Sequence, residues 1–200
     1  MIEHKTAYNA PALDIRPSDH IQGPKDAPVT LMEYGDYQCP YCGMAYPVVK
    51  QVQRSMGESM CFVFRNFPLT EAHPFAEGAA EAAEAAGEQG KFWEMHDTLY
   101  ENQNALAPEG LVGYAQLLHL NVPRFITELK THAHAKRIRE DFLSGVRSGV
   151  NGTPTFFING VRHDGASDFE TLLAAVRARL EGVAASAQLA SPKNRPLRAR

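Results

Sequence analysis

Cys39 and Cys42, three residues apart, are the side chains in this sequence best suited to chemistry. At that spacing two sulfurs lie on one face of a helix, within the Cα separation of about 4.4–6.8 Å that a disulfide needs. The flanking residues predict where that helix begins. Residues 29–37 read as a strand, with Val29, Leu31 and Glu33 on one face and Thr30, Met32 and Tyr34 on the other. Gly35-Asp36-Tyr37-Gln38 turns the chain, and a helical pattern runs from Cys39 to about Ser55. Cys39 thus falls at a helix N-terminus, where unpaired N–H groups and the helix dipole favour a thiolate. Cys42 lies one turn inside. One sulfur can attack a disulfide and the other resolve the mixed disulfide that results. Pro40 fits the first helical position, where its missing N–H would be unpaired anyway.

Two other readings of the pair stay open. Together with Cys61 and a histidine the thiols could hold zinc, or they could be inert core residues. A strand-to-helix junction is an unusual place for a zinc knuckle, and no second Cys-x-x-Cys or histidine pair follows.

The elements that must carry this pair follow from hydrophobic period and turn chemistry. The first twenty-odd residues are polar and irregular. Met60 to Phe67 reads as a second strand, apolar on both faces as in the middle of a covered sheet. A block of helices is expected next. His73-Pro74 opens an alanine-rich helix to Ala86, with Phe75, Ala79, Ala82 and Ala86 on one face and glutamates on the other. Further helices span Lys91 to Asn102, from Pro108, and one or two between Pro123 and Arg147. Thr153 to Ile158 returns to strand character, Asn159-Gly160 signals a type I′ hairpin, and Val161 to Asp164 can pair back. Ser167 or Asp168 can cap a last helix that runs through Leu180. The order predicts an α/β sheet interrupted by a helical insertion at about 72–147.

Composition narrows the function classes. The 200 residues are 44% hydrophobic and 22% charged, with a net charge of −3, which gives no general case for nucleic acid as a partner. No apolar run approaches the roughly 18 residues of a membrane span. Three cysteines are too few for a disulfide-stapled scaffold. Residues 184–200 hold Lys193, Arg195, Arg198 and Arg200 and no acid, a +4 that leaves −7 on the rest of the chain. They read as a disordered, solvated basic tail, and residues 1–17 as an N-terminal extension. The first residues lack the apolar stretch of a secretory signal. Taken as the native start they imply a cytoplasmic protein; a trimmed start would look the same.

Several separated motifs carry a family resemblance over residues 18–183. Val29 through Cys42 with its Cys-Pro-Tyr-Cys, Phe64-Arg65-Asn66-Phe67-Pro68-Leu69, and Gly149 through Gly160 resemble the DsbA-like branch of the thioredoxin superfamily. His73-Pro74-Phe75-Ala76 and Gly90 through His96 are similar to the start of that branch's helical insertion. The resemblance implies a thioredoxin-like fold and a protein disulfide oxidoreductase that exchanges disulfides with protein or small thiol substrates, using no bound cofactor and no metal. It implies that Pro154 is a cis-proline facing the sulfurs. A cis X–Pro exposes the backbone of Thr153 to an extended substrate, whereas the residues alone read as an ordinary trans-proline starting an edge strand. Pro40, Tyr41, Thr153 and Pro154 are therefore the expected substrate contacts.

By the same resemblance Glu33, six residues before Cys39, lies beneath the second cysteine. As a half-buried carboxylate it could take the proton from Cys42; otherwise it is a solvated strand-edge residue. Tyr41 stands where strongly oxidising members carry a histidine, and Pro-Tyr is similar to the glutaredoxin dipeptide. The expectation is a cytoplasmic reductase, with glutathione or a thioredoxin-type protein as electron partner and neither nucleic acid nor membrane. An exported oxidase or isomerase is the alternative, and a zinc- or peptide-binding module of the same fold is a third. Cys61 is expected in the core, with glutathionylation as the minority reading, and His96 as a packed histidine.

Overall fold

The computed structural model describes residues 13–190. Five strands form one mixed sheet: β1 (His20–Gln22), β2 (Val29–Gly35), β3 (Met60–Asn66), β4 (Thr155–Ile158) and β5 (Val161–Arg162), in the order β1-β3-β2-β4-β5. β2 and β3 run parallel, and the other neighbours are antiparallel. A parallel pair needs a long crossover, which α1 (Pro40–Met56) supplies. Between β3 and β4 lies the expected helical block: α2 (Ala76–Gly87), α3 (Phe92–Glu101), α4 (Pro108–Leu117), α5 (Val122–Lys130) and α6 (Ala135–Arg147). The fold is thioredoxin-like with an inserted helical subdomain.

The sheet separates two cores, as strand alternation dictates. Val29, Leu31, Phe62, Phe64, Phe156 and Ile158 face α1, the insertion and the last helix. Met32, Tyr34, Cys61, Val63 and Phe157 face the opposite way, covered by Leu13, Ile15 and Phe142 of α6. Asn159 and Gly160, at φ 48° and 75°, make the tight link between β4 and β5, which is the geometry that Asn-Gly favours.

The structure corrects four local expectations. The segment read as irregular contains β1, whose three residues pair with Phe62–Phe64; so short a strand, with Ile21 its one apolar residue, carries no period to detect. The glutamates of α2 are not solvated. Glu81 and Glu84 are 2% and 4% exposed, because insertion helices pack on both sides, and Glu84 accepts from Asn66 Nδ2 at 2.7 Å and Arg137 Nε at 2.6 Å. His132 and His134, two apart in a span read as helical and expected on a helix to point too far apart to share a metal, lie instead in the turn between α5 and α6 and pair separately with Glu81 and Glu128. The last helix, α7 (Phe169–Ala190), starts where Asp168 accepts from the Thr171 N–H at 3.0 Å. It continues ten residues past Leu180, so residues 184–190, expected in the tail, are helical. Residues 1–12 of the expected extension and 191–200 of the tail lie outside the described residues.

Candidate active site

The junction of β2 and α1 is built around Asp36. Its carboxylate accepts from the N–H groups of Gln38 at 2.8 Å and Cys39 at 3.2 Å, which forms the turn. The other carboxylate oxygen accepts from the Leu69 N–H at 2.9 Å and meets His73 Nδ1 at 2.7 Å. One buried aspartate thereby ties the cysteine turn to the segment after β3. Aspartate in a turn is an ordinary signal, but the partners at 69 and 73 were not readable from it.

Cys39 is the N-cap residue of α1, extended at φ −67° and ψ 122°, with Pro40 at the first helical position. Its thiol donates to the Thr153 carbonyl at 3.3 Å. Hydrogen bonding with Cys42 brings the Cys39 pKa down to about 5 against the opposing effect of burial, and the Thr153 side chain and the N–H groups of Cys42 and Tyr41 add to the lowering. Cys42 is fully buried and accepts from the Asp36 N–H at 3.5 Å. Burial pushes its thiol well above the ordinary range, reinforced by its bond to Cys39 and by the charge of Glu33. Both thiols are free. The pair is thus split: one sulfur ionises easily, the other hardly at all.

Glu33 is 2% exposed, more deeply buried than the half-buried position expected, and lies opposite Phe64 and Phe156 in the sheet. Its Oε1 has no hydrogen-bond partner among the described residues. Desolvation, with the negative charge of Cys39, raises its pKa to about 8. A carboxylic acid titrating there can exchange a proton near neutral pH.

The Thr153–Pro154 peptide bond is cis, and both residues are half-buried beside the sulfurs. They line a groove with Tyr41, Met44, Ala45 and Val48. Tyr41 and Met44 are 65% and 61% exposed, so the groove offers apolar surface beside the reactive thiol. Tyr41, Thr153 and Pro154 are therefore gathered at one place from two distant segments, whereas Pro40, exposed at the start of α1, is not part of the groove lining.

Cys61 is not part of this site. It is fully buried on the opposite sheet face, 3.4 Å from Thr30 Oγ1. His96 is buried among aromatic rings, with Nδ1 3.1 Å from the Tyr37 hydroxyl. Among the described residues no three His, Cys, Asp or Glu side chains converge as a metal set would. One neighbour escaped the sequence reading altogether. Gln103, after α3, donates from Nε2 to the carbonyls of Tyr37 and Cys39, each at 2.9 Å. A glutamine in a loop carries no sequence signal of such a role.

Comparison with known proteins agrees with this geometry. The family model Thioredoxin_4, described as thioredoxin, matches residues 16–178. The chain is 50% identical over 164 residues to a protein named Na(+)/H(+) antiporter NhaA 1 of Salinispora arenicola, covering 82% of this chain and 25% of that protein. It is 42% identical over 164 residues to one named Na(+)/H(+) antiporter NhaA of Herminiimonas arsenicoxydans, covering 82% and 26%. The chain spans about a quarter of the length of these relatives. Among solved structures it is similar to oxidised BdbD from Bacillus subtilis, at TM-score 0.74 and 23% identity over 81% of this chain and 92% of that one. It is also similar to Wolbachia pipientis alpha-DsbA1, at TM-score 0.75 and 19% identity over 86% and 96%.

Proposed function

The chain belongs to the thioredoxin superfamily, with the DsbA-like fold, and on that premise we propose that it is a protein disulfide oxidoreductase working through Cys39 and Cys42. The observation that carries the reading is the opposed tuning of the two thiols, Cys39 down to about 5 and Cys42 well up. A thiolate is the attacking species in thiol–disulfide exchange, and an interior thiol held protonated does not compete with it.

The Cys39 thiolate attacks one sulfur of a substrate disulfide held along the groove. A Cys39–substrate disulfide forms, and the second substrate sulfur leaves as a thiolate. Glu33, ionised, takes the proton of Cys42. The Cys42 thiolate then attacks the Cys39 sulfur, closing the Cys39–Cys42 disulfide and releasing the other substrate sulfur, which takes up a proton. Two electrons pass from the protein dithiol to the substrate. A thiol reductant, of the glutathione or thioredoxin type, returns the pair to the dithiol. Thr153 and Pro154 offer backbone to an extended substrate, while Pro40 and Tyr41 form the rim it crosses.

Reduction in a cytoplasmic setting is the proposed direction. A Cys39 pKa of about 5 falls between the values of roughly 7 for thioredoxin and 3.5 for DsbA. A potential between about −270 and −120 mV corresponds to it; the lower part of that range makes the dithiol an effective reductant, and a cytosolic glutathione poise of about −280 to −320 mV still holds the pair in that dithiol form. A second substrate class is suggested by the relatives named as antiporters, in which the matching segment is about a quarter of the chain: disulfides of a membrane transporter.

The test is mechanism-based trapping. Cys42→Ser removes the resolving thiol and should accumulate mixed disulfides on Cys39, whereas Cys39→Ser should accumulate almost none. Equal trapping by both variants would overturn the assignment. A potential near −120 mV would reverse the proposed direction and favour an exported oxidase.

A further inference from the structure

The turn that carries Cys39 is held from outside the sheet, by the helical insertion. Gln103 lies between α3 and α4, and its carboxamide nitrogen meets the carbonyls of Tyr37 and Cys39, both at 2.9 Å. Only the NH2 end of a carboxamide can satisfy two carbonyls, so the orientation of the group is fixed and both its donors are used. The Cys39 carbonyl is also the acceptor of the first α1 bond, from the Gly43 N–H at 3.1 Å. Gly43 makes the approach possible. A Cβ there would stand 2.1 Å from Gln103 Oε1 and 2.7 Å from its Cδ.

Building on the thiol–disulfide reading, we propose that Gln103 is a positioning residue through which the insertion sets the redox poise of the Cys39–Cys42 pair, and that Gly43 serves it by leaving room for its carboxamide. Two carbonyl oxygens carry partial negative charge into the turn beside the Cys39 sulfur. Donation from Gln103 neutralises both and keeps the turn in the geometry that aims the N–H groups of Tyr41 and Cys42 at that sulfur. The interaction favours the ionised dithiol over the disulfide, in which Cys39 carries no charge. Its loss makes the disulfide harder to reduce.

The test is a double-mutant cycle on the full chain, using Q103A, G43A and the double variant. Two quantities are read: the equilibrium constant with reduced and oxidised glutathione, and the Cys39 pKa from the pH dependence of its alkylation. Each single variant should raise the Cys39 pKa and shift the glutathione equilibrium about tenfold toward the protein disulfide, or about 30 mV toward reducing potential. The double variant should shift it tenfold, not a hundredfold, because Gly43 acts only through Gln103. Changed melting temperature with unchanged equilibrium and pKa would reduce Gln103 to a structural role and overturn the proposal. Additive shifts would overturn the part assigned to Gly43. Q103E, equal in shape, guards against a folding defect: it must raise the Cys39 pKa at least as far as Q103A. If the natural protein does not exchange with glutathione at all, the underlying oxidoreductase reading fails, while the alkylation series still decides whether Gln103 governs the thiol.

Discussion

The Asp36 N–H donates to the sulfur of Cys42 at 3.5 Å, while the carboxylate of the same aspartate accepts from the Cys39 N–H. A single residue therefore contacts both halves of the cysteine pair, and it does so from the end of the strand that carries Glu33. The acid, the turn and the two thiols are fixed to one another by backbone geometry, which is more rigid than a set of side chains on separate loops.

The split between the thiols predicts selective labelling. With a Cys39 pKa of about 5, iodoacetamide at mildly acidic pH should modify Cys39, with the rate rising to a plateau about one pH unit above that value. Cys42 and Cys61, both fully buried, should stay unmodified until the protein unfolds. Peptide mass spectrometry reads the outcome, and equal modification of Cys39 and Cys42 counts against the assignment.

Glu33 makes a prediction with an unusual sign. Its pKa in the folded protein is about 8 against an ordinary 4.5, so between these values the folded state holds a proton that the unfolded chain has released. Its contribution to stability is fully present below about 4.5, falls through the interval by at most about 1.4 kcal/mol per pH unit, and is lost above 8. Glu33→Gln should flatten this fall, making the variant more stable than the natural protein at the alkaline end. Asp19 and Glu84, held below their ordinary values, act in the acid limb instead. Urea unfolding of the reduced natural protein and of Glu33→Gln across this range checks the slope by difference, because Cys39, held down to about 5, adds an opposing rise to both. The same variant should slow release of the mixed disulfide.

Arg65 is a stability residue away from the site. It is 1% exposed and donates to Asp19 at 2.9 and 2.7 Å, to the Tyr34 hydroxyl at 3.0 Å and to the Asp14 carbonyl at 2.8 Å. Among the described residues Arg65→Ala leaves the buried Asp19 charge with Arg16 as its one remaining cation, at an expected cost of about 3–5 kcal/mol. The urea midpoint should drop accordingly, with thiol exchange per folded molecule unchanged.

Tyr41 tests the tuning from the exposed side. Tyr41→His places an ionisable ring beside the Cys39 thiolate, and a tenfold preference for the reduced form corresponds to about 30 mV. The potential should rise by about that much or more at a pH where the imidazole is charged, and the gain should fade as it deprotonates. A potential indifferent to the substitution would show that residue 41 does not sense the sulfur.

The chemistry was legible because it is local. Cys39 and Cys42 declare a helix terminus three residues apart, and Asn159-Gly160 declares a hairpin, since each depends on the conformations of a few adjacent residues. Strand alternation likewise put Glu33 on the Val29 and Leu31 face. What escaped depends on distance. The depth of Glu33 is set by Phe64 and Phe156 on neighbouring strands, the solvation of Glu84 by Asn66 and Arg137, and the value of Gln103 by carbonyls more than sixty residues away in sequence. β1 escaped for a different reason: three residues are too few for a period, and its partner strand, not its own pattern, makes it a strand.

The bond from the Cys39 thiol to the Thr153 carbonyl joins residues 114 apart in the chain. During synthesis, at about 5–20 residues per second, the cysteines emerge well before the loop that completes their surroundings. A nascent chain therefore lacks the Thr153 part of the setting that lowers the Cys39 thiol, and the full set of contacts is assembled only when the segment around Thr153 arrives and docks. Full activation is thus tied to completion, and a ribosome-bound fragment ending before residue 153 should be less prone to capture neighbouring disulfides than the finished protein.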